Sequence, residues 1–156
     1  MRAVLQRQNG PTAPTLHAFG HAHIDVAWLW PLQHTERKMA MTMLNQFLLF
    51  EEYPDFKFLQ SQPHLYWMME LKYPDIFEHI RESVKNGRII SDGGMWVEAD
   101  TNITGGESLI RQILYGKQYF QGQLGSDSRI LWLPDVFGYS GALPQILVGC
   151  GMKGFA

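Results

Sequence analysis

Two histidines and an aspartate alternate along the stretch from His21 to Asp25, directly after a short apolar run. If this stretch continues an extended strand, His21, His23 and Asp25 point the same way, because strand side chains repeat with a period of two. Imidazole nitrogens and carboxylate oxygens that converge on one point suit a borderline cation such as zinc. The alternative is a polar loop at a strand end, in which both histidines make ordinary hydrogen bonds. The pattern favours a metal or catalytic site and leaves the loop as the second interpretation.

A second candidate is Asp135, which follows Pro134 at the end of an apolar segment that includes Trp132 and Leu133. A carboxylate among apolar and aromatic neighbours can be desolvated and held rigid, as a nucleophile or a metal ligand must be. An aspartate after proline also commonly caps a helix or closes a turn. The residues around Asp135 do not decide between these roles.

Short apolar strands alternate with helical segments in the order βαβαβαβα. We expect strands over residues 16–20, 56–61, 88–91 and 128–133, and helices over residues 34–53, 63–71, 74–86, 107–122 and 143–149. This alternation is typical of an α/β fold with a parallel sheet and right-handed crossovers. Ligands of such sheets gather at the carboxyl ends of the strands. The segments 21–25 and 92–100 and the residue Asp135 should therefore meet at one edge.

The composition excludes several classes of protein. The chain has 156 residues with 46% hydrophobic and 18% charged residues, which fits one folded domain rather than a disordered chain. The net charge of −2 gives no reason to expect a nucleic acid or an anionic membrane as partner. A single cysteine rules out an internal disulfide and a zinc site built from cysteines. With no signal peptide or membrane span in the sequence, we expect a cytoplasmic protein.

The two ends of the chain predict its organisation. Residues 1–15 are polar and contain glycine and prolines, so we expect a leader or linker before a domain at residues 16–156. Residues 151–156 are typical of a helix cap followed by the opening of a fifth strand. We therefore expect a chain truncated after about four βα units. Its exposed sheet edge predicts poor solubility or self-association.

Three motifs follow one another along the chain: His-Ala-His-Ile-Asp-Val-Ala-Trp-Leu-Trp-Pro at 21–31, Trp-Val-Glu at 96–98 and Trp-Leu-Pro-Asp-Val-Phe-Gly-Tyr-Ser at 132–140. In this order they resemble the start of the catalytic domain of glycoside hydrolase family 38 α-mannosidases. The resemblance extends from about Leu16 to the last residue, and its first motif is closer to the cytosolic and bacterial branch than to the Golgi and lysosomal branch. It implies a seven-stranded parallel β/α barrel, of which this chain is a partial one. It also implies a zinc-dependent, retaining exo-α-mannosidase acting on mannose-containing oligosaccharides.

The resemblance assigns roles to individual residues. His23 and Asp25 match two zinc ligands, and Asp135 matches the residue that is both the catalytic nucleophile and a third protein ligand. His21 matches a position that is not a ligand, and we expect it to support the ligands by hydrogen bonding. The implied mechanism is double displacement, in which Asp135 attacks the anomeric carbon and a carboxylic acid protonates the leaving oxygen.

Other positions have smaller or missing roles in the resemblance. Trp28 and Phe137 match aromatic residues that line the sugar subsite. Glu98 and Asp100 match no known role, and we expect solvated loop carboxylates. The fourth zinc ligand, a histidine, and the general acid lie well downstream of the nucleophile in relatives, so we expect this chain alone to be inactive. The remaining histidines in predicted helices or loops are expected on the surface or in packing: His34, His64 and His79.

Two alternatives to the mannosidase remain open. Another zinc hydrolase, either a polysaccharide deacetylase or an amidohydrolase, also places histidines and aspartates at strand ends. Such enzymes activate water and do not require the combination of Asp135 with Trp28. A non-catalytic carbohydrate-binding fragment would keep a partial zinc site and an aromatic subsite without chemistry. A homo-oligomer of the parent protein is a further expectation.

Overall fold

A computed structural model describes residues 10–156. Of the predicted leader, residues 1–9 lie outside the described residues, and residues 10–15 are exposed and irregular. The strands are β1 (Gly20–His21), β2 (Phe58–Gln60), β3 (Ile89–Ser91), β4 (Ile130–Leu131) and β5 (Gly154–Phe155). The helices are α1 (Leu32–Glu52), α2 (Pro63–Lys72), α3 (Pro74–Lys85), α4 (Gly106–Leu124) and α5 (Leu143–Gly149).

All five strands run parallel. Strand β2 lies between β1 and β3, with Leu59 paired to His21 on one side and to Ile90 on the other. Strands β4 and β5 form a second parallel pair, and a parallel bridge between Gly93 and Leu131 connects the two sheets. The predicted α/β class with parallel strands is confirmed. The carboxyl ends of β1, β3 and β4 consequently face the same edge.

The strands are shorter than the sequence predicted. The first was expected over residues 16–20, but β1 comprises only Gly20 and His21. The backbone of Gly20 already bonds to Lys57, whereas the preceding Leu16 is 90% exposed. The prediction for residues 16–19 is wrong because an apolar run becomes a strand only where a neighbouring strand lies alongside to receive its hydrogen bonds.

Prolines lie at the starts of α1, α2 and α3, as the sequence indicated. Pro63 and Pro74 are the first residues of α2 and α3, and Pro31 immediately precedes α1. Proline suits this place because the first helical residues have no intrahelical partner for their N–H groups. Helix α4 ends at Leu124 and is capped by Gly125, which has a φ of +67°. Among residues 10–156, no helix is both long and apolar enough to cross a bilayer.

Two apolar clusters bury the helices against the sheets. The first includes the fully or nearly buried side chains of Met39, Met43, Phe58, Tyr66, Ile80 and Phe120. The second includes Met95, Leu109, Ile113, Leu131, Leu143 and Leu147. Helix α4 contributes to both clusters and so joins the part of the fold around β1–β3 to the part around β4–β5. This packing fixes the sheet edge on which the polar residues meet.

Candidate active site

His23, Asp25 and Asp135 come together at the carboxyl ends of β1 and β4. One ligand atom from each of the three side chains lies within 4.8 Å of the other two. Nε2 of His23 is 3.2 Å from a carboxylate oxygen of Asp25 and 3.5 Å from one of Asp135. Residues more than a hundred positions apart therefore form one cluster with a nitrogen and two oxygen ligands.

Hydrogen bonds hold the segment that carries His23 and Asp25. The Thr35 hydroxyl donates to the main-chain carbonyl of Asp25 at 2.7 Å and accepts the indole N–H of Trp30 at 2.9 Å. The side-chain amide of Gln62 donates to the carbonyl of Ile24 at 2.9 Å. Helix α1 and the end of β2 thus fix this loop from two sides.

Asp135 lies on the loop that follows β4. The Tyr139 hydroxyl donates to the carbonyl of Leu133 at 3.0 Å, and the backbone N–H of Ser140 donates to the hydroxyl of Thr101 at 3.1 Å. These bonds close the loop around the aspartate. The side chain of Asp135 is 48% exposed, so the desolvated environment suggested by its apolar neighbours is not what the structure shows. The carboxylate is open to a ligand that approaches from solvent.

Glu98 is the site residue that the sequence interpretation missed. Its side chain is only 3% exposed, and one carboxylate oxygen lies 2.6 Å from Nδ1 of His23. The other oxygen accepts the Ser61 hydroxyl at 2.5 Å. The expectation of a solvated carboxylate is wrong for Glu98, because the loop after β3 folds over the end of β2. It holds for Asp100, which is exposed and accepts two N–H groups of its own loop.

The contact with Glu98 at Nδ1 leaves Nε2 as the nitrogen of His23 that can bind a metal. The pKa of His23 is raised to about 9, chiefly by the hydrogen bond to Glu98, while burial acts in the opposite direction and Asp25 adds to the rise. A carboxylate at Nδ1 keeps a proton on that nitrogen, so Nε2 is the nitrogen that can present a lone pair. Nε2 faces Asp25 and Asp135. One imidazole nitrogen with two carboxylate oxygens fits zinc.

His21 makes different contacts from those expected. Its Nε2 accepts the indole N–H of Trp132 at 3.1 Å, which leaves Nδ1 to donate to the carbonyl of Leu59 at 3.0 Å. Neither bond goes to His23, Asp25 or Asp135. His21 instead ties β1 to β2 and to the end of β4. His21 therefore contacts the segment that leads to Asp135, and its support for the ligands stays a prediction.

The other histidines lie outside this cluster. His34 and His79 are exposed, in agreement with the expectation for surface residues. His64 is partly buried and accepts the indole N–H of Trp96 at 2.9 Å, and burial lowers its pKa. A neutral imidazole that accepts a bond from tryptophan is a packing histidine.

The two predicted subsite aromatics lie on the site loops. Trp28 is 66% exposed and packs its ring edgewise against Trp30, with the centroids 5.7 Å apart. Phe137 is 96% exposed, two residues after Asp135. Both rings are free to contact a ligand, and their role in sugar binding stays a prediction.

Comparison with known proteins agrees with this geometry. The profile of the family described as "Glycosyl hydrolases family 38 N-terminal domain" matches residues 13–156. Alpha-mannosidase G of Dictyostelium discoideum is 42% identical and human Alpha-mannosidase 2C1 is 41% identical, each over 96% of this chain. The chain spans only 14% of the length of either relative.

A solved structure shows the same fold. The crystal structure of an alpha-mannosidase from Enterococcus faecalis V583 superposes with a TM-score of 0.78 at 23% identity, over 88% of this chain and 16% of that one. Together with the profile that matches nearly all of the sequence, these similarities show that the chain belongs to glycosyl hydrolase family 38 and corresponds to its N-terminal domain.

Proposed function

We propose that the protein containing this chain is a zinc-dependent, retaining exo-α-mannosidase that acts on mannose-containing oligosaccharides in the cytoplasm. The main support is the convergence of Nε2 of His23 with the carboxylates of Asp25 and Asp135. Membership of family 38 and the names of the relatives favour a mannosidase over a deacetylase or an amidohydrolase. The similarity of the first motif to the cytosolic and bacterial branch supports the location.

The fold proposal is that these strands form part of a seven-stranded barrel. The strands are all parallel and adjacent in sequence order, from β1 to β5. Helices follow the strands along the chain, which is the arrangement of a β/α barrel wall. In such a barrel the catalytic residues lie at the carboxyl ends of the strands, where His23, Asp25 and Asp135 are found.

In this proposal His23, Asp25 and Asp135 hold the metal. When bound, zinc supplies a Lewis acid that binds sugar hydroxyls and orients the ring. Glu98 keeps a proton on Nδ1 of His23, so that Nε2 remains available as a ligand. Asp25 stays in place because two neighbouring carbonyl groups are held: its own by Thr35 and that of Ile24 by Gln62.

Asp135 is proposed as the nucleophile. Its half-exposed carboxylate attacks the anomeric carbon and forms a glycosyl ester, while the leaving oxygen takes a proton from a carboxylic acid elsewhere in the protein. Water then cleaves the ester with the proton returning to that acid, and the two displacements retain the anomeric configuration. The loop contacts of Tyr139 and Ser140 fix the direction from which Asp135 approaches.

Covalent trapping tests the nucleophile directly. A fluorinated mannosyl fluoride forms a slowly hydrolysed ester in a retaining enzyme, and peptide mass spectrometry then identifies the labelled residue. We expect the label on Asp135, its loss in Asp135→Asn, and normal labelling in Asp55→Asn, a variant of an exposed aspartate outside the site. Labelling of another carboxylate, or a product with inverted configuration, would contradict the proposal.

A further inference from the structure

A buried polar group lies at the carboxyl end of β2 and contacts both loops of the site. Ser61 and Gln62 are 1% and 2% exposed. Gln62 has a φ of +61°, a conformation that non-glycine residues rarely adopt. Such a conformation persists only where its surroundings hold it in place, and it is found preferentially at functional sites.

Gln62 joins the two loops through its side-chain amide. The NH₂ group donates to the carbonyl of Ile24, the residue between His23 and Asp25. The amide oxygen accepts the backbone N–H of Glu98 at 3.2 Å. The loop that carries the metal-binding residues and the loop that carries Glu98 are thus set relative to one another by one side chain.

The carboxylate of Glu98 is in turn held at both oxygens. One oxygen accepts the Ser61 hydroxyl at 2.5 Å, and the other lies 2.6 Å from Nδ1 of His23. In the described part of the chain, that second oxygen and Nδ1 have no partner other than each other. A buried carboxylate is costly unless it is paired, so this contact with His23 stabilises Glu98 where it lies.

The close approach of the chain after β3 makes this arrangement possible. A Cβ atom added at Gly93 would lie 2.7 Å from Cβ of Ser61, and Gly93 has a φ of +142°. Only glycine allows the backbone to pass so near Ser61 and continue into the loop that reaches Glu98. Both the loop path and the side-chain contacts therefore direct this carboxylate at His23.

We propose that Glu98, held by Ser61 and Gln62, is a positioning residue that orients the imidazole of His23 so that Nε2 faces Asp25 and Asp135. Histidines that bind a metal commonly donate their other N–H to a carboxylate, which fixes the ring and strengthens the ligand. The identity of the ion at Nε2 rests on the proposed function, whereas the orientation of the ring does not. Glu98 itself does not touch the substrate in this proposal.

Two substitutions of similar size separate orientation from packing. Glu98→Met fills the same space without an acceptor, whereas Glu98→Gln keeps an acceptor and removes the charge. Asp100→Asn is the matched control, because it removes a charge from the same loop and keeps the acceptor for its turn. The zinc dissociation constant of each variant of the full protein is measured by competition with a chelator.

We expect Glu98→Met to weaken zinc binding by about 10–100-fold, Glu98→Gln to lose less, and Asp100→Asn to bind as the unsubstituted protein does. Zinc binding by Glu98→Met that equals the unsubstituted protein would overturn the proposal. A Glu98→Gln variant no better than Glu98→Met would also overturn it, because charge and not an orienting hydrogen bond would then be the cause.

A readout without metal distinguishes this proposal from the proposed function. In a crystal structure of the metal-free Glu98→Met protein, we expect the imidazole of His23 to have turned away from Asp25 and Asp135. An unchanged ring would refute the positioning role, whatever the protein binds. If the ring moves but the unsubstituted protein binds no zinc and releases no mannose, the positioning role holds and the proposed function fails.

Discussion

Gly116 lies at the point where helix α4 crosses the segment that leads to Glu98. It is buried near the middle of the helix, and a Cβ atom there would lie 2.1 Å from the carbonyl oxygen of Gly94 and 2.9 Å from the carbonyl carbon of Met95. Real Cβ contacts are essentially never below 3.0 Å. In Gly116→Ala, the helix or the Gly94–Met95 backbone must therefore move by at least 3.0 − 2.1 = 0.9 Å.

Two opposing effects set the magnitude of this substitution. Alanine is about 1 kcal/mol better than glycine inside a helix, which favours the variant. Overpacking of a tight core commonly costs about 1–3 kcal/mol, and here the obstructing atoms belong to the backbone, which cannot rotate away as a side chain does. At 2.1 Å from a backbone oxygen the cost should lie near the upper end of that range, about 3 kcal/mol. After the gain of about 1 kcal/mol is subtracted, we expect the free energy of unfolding of Gly116→Ala to fall by about 2 kcal/mol.

The same helix offers a matched control. At Gly122 nothing lies within 4 Å of an added Cβ, so Gly122→Ala should gain the helix preference alone, about 0.5–1 kcal/mol. Urea unfolding followed by circular dichroism measures both variants. If Gly116→Ala is as stable as Gly122→Ala, helix α4 does not pack against the segment at Gly94, and the path of the loop to Glu98 is wrong.

Three further predictions concern protonation and the core. Zinc affinity should fall roughly tenfold per pH unit below about pH 9, because Glu98 raises the pKa of His23 to about 9 and protons then compete with zinc for Nε2. A zinc affinity that does not change with pH in chelator titrations would count against this. In the metal-free protein the same raised pKa stabilises the fold fully below about pH 6.5 and ceases to do so as the pH rises through 9, and the melting temperature should follow. Tyr66→Phe removes the hydroxyl that donates to the buried carbonyl of Gln60 at 2.8 Å. The free energy of unfolding measured in urea should fall by about 1–2 kcal/mol. An unchanged urea midpoint of unfolding would mean that this bond contributes nothing to stability.

The sequence predicted the parts of the fold that depend on local signals. Prolines before periodic apolar stretches located the starts of α2 and α3, and α5 has the predicted bounds. Strand lengths were predicted less well. Pairing depends on which neighbour lies alongside, and the apolar run at residues 16–19 has no such partner in the described chain.

The site shows the same division. His23 and Asp25 are close in sequence, and their joining with Asp135 was anticipated from the edge shared by parallel strands and from the family motifs. The burial of Glu98 was not anticipated, because it depends on Gly93, which allows the loop to pass over Ser61. The available signal was the position of Glu98 after β3, on the same edge as the other acidic residues.

The contacts of His21 illustrate why side-chain partners are hard to predict. Its alternation with His23 and Asp25 suggested a shared direction and a shared role. The strand ends at His21, however, so the period of two does not extend to His23. His21 bonds to Leu59 and Trp132, whereas His23 lies in the loop beyond the strand.

Zinc content measured by elemental mass spectrometry tests the central claim most directly. The purified full protein should contain close to one zinc ion per chain, and its His23→Ala and Asp135→Ala variants should lose that zinc. His34→Ala, a variant of an exposed histidine outside the cluster, should keep it. Zinc retained in both site variants, or absent from the unsubstituted protein, would contradict a metal site formed by His23, Asp25 and Asp135.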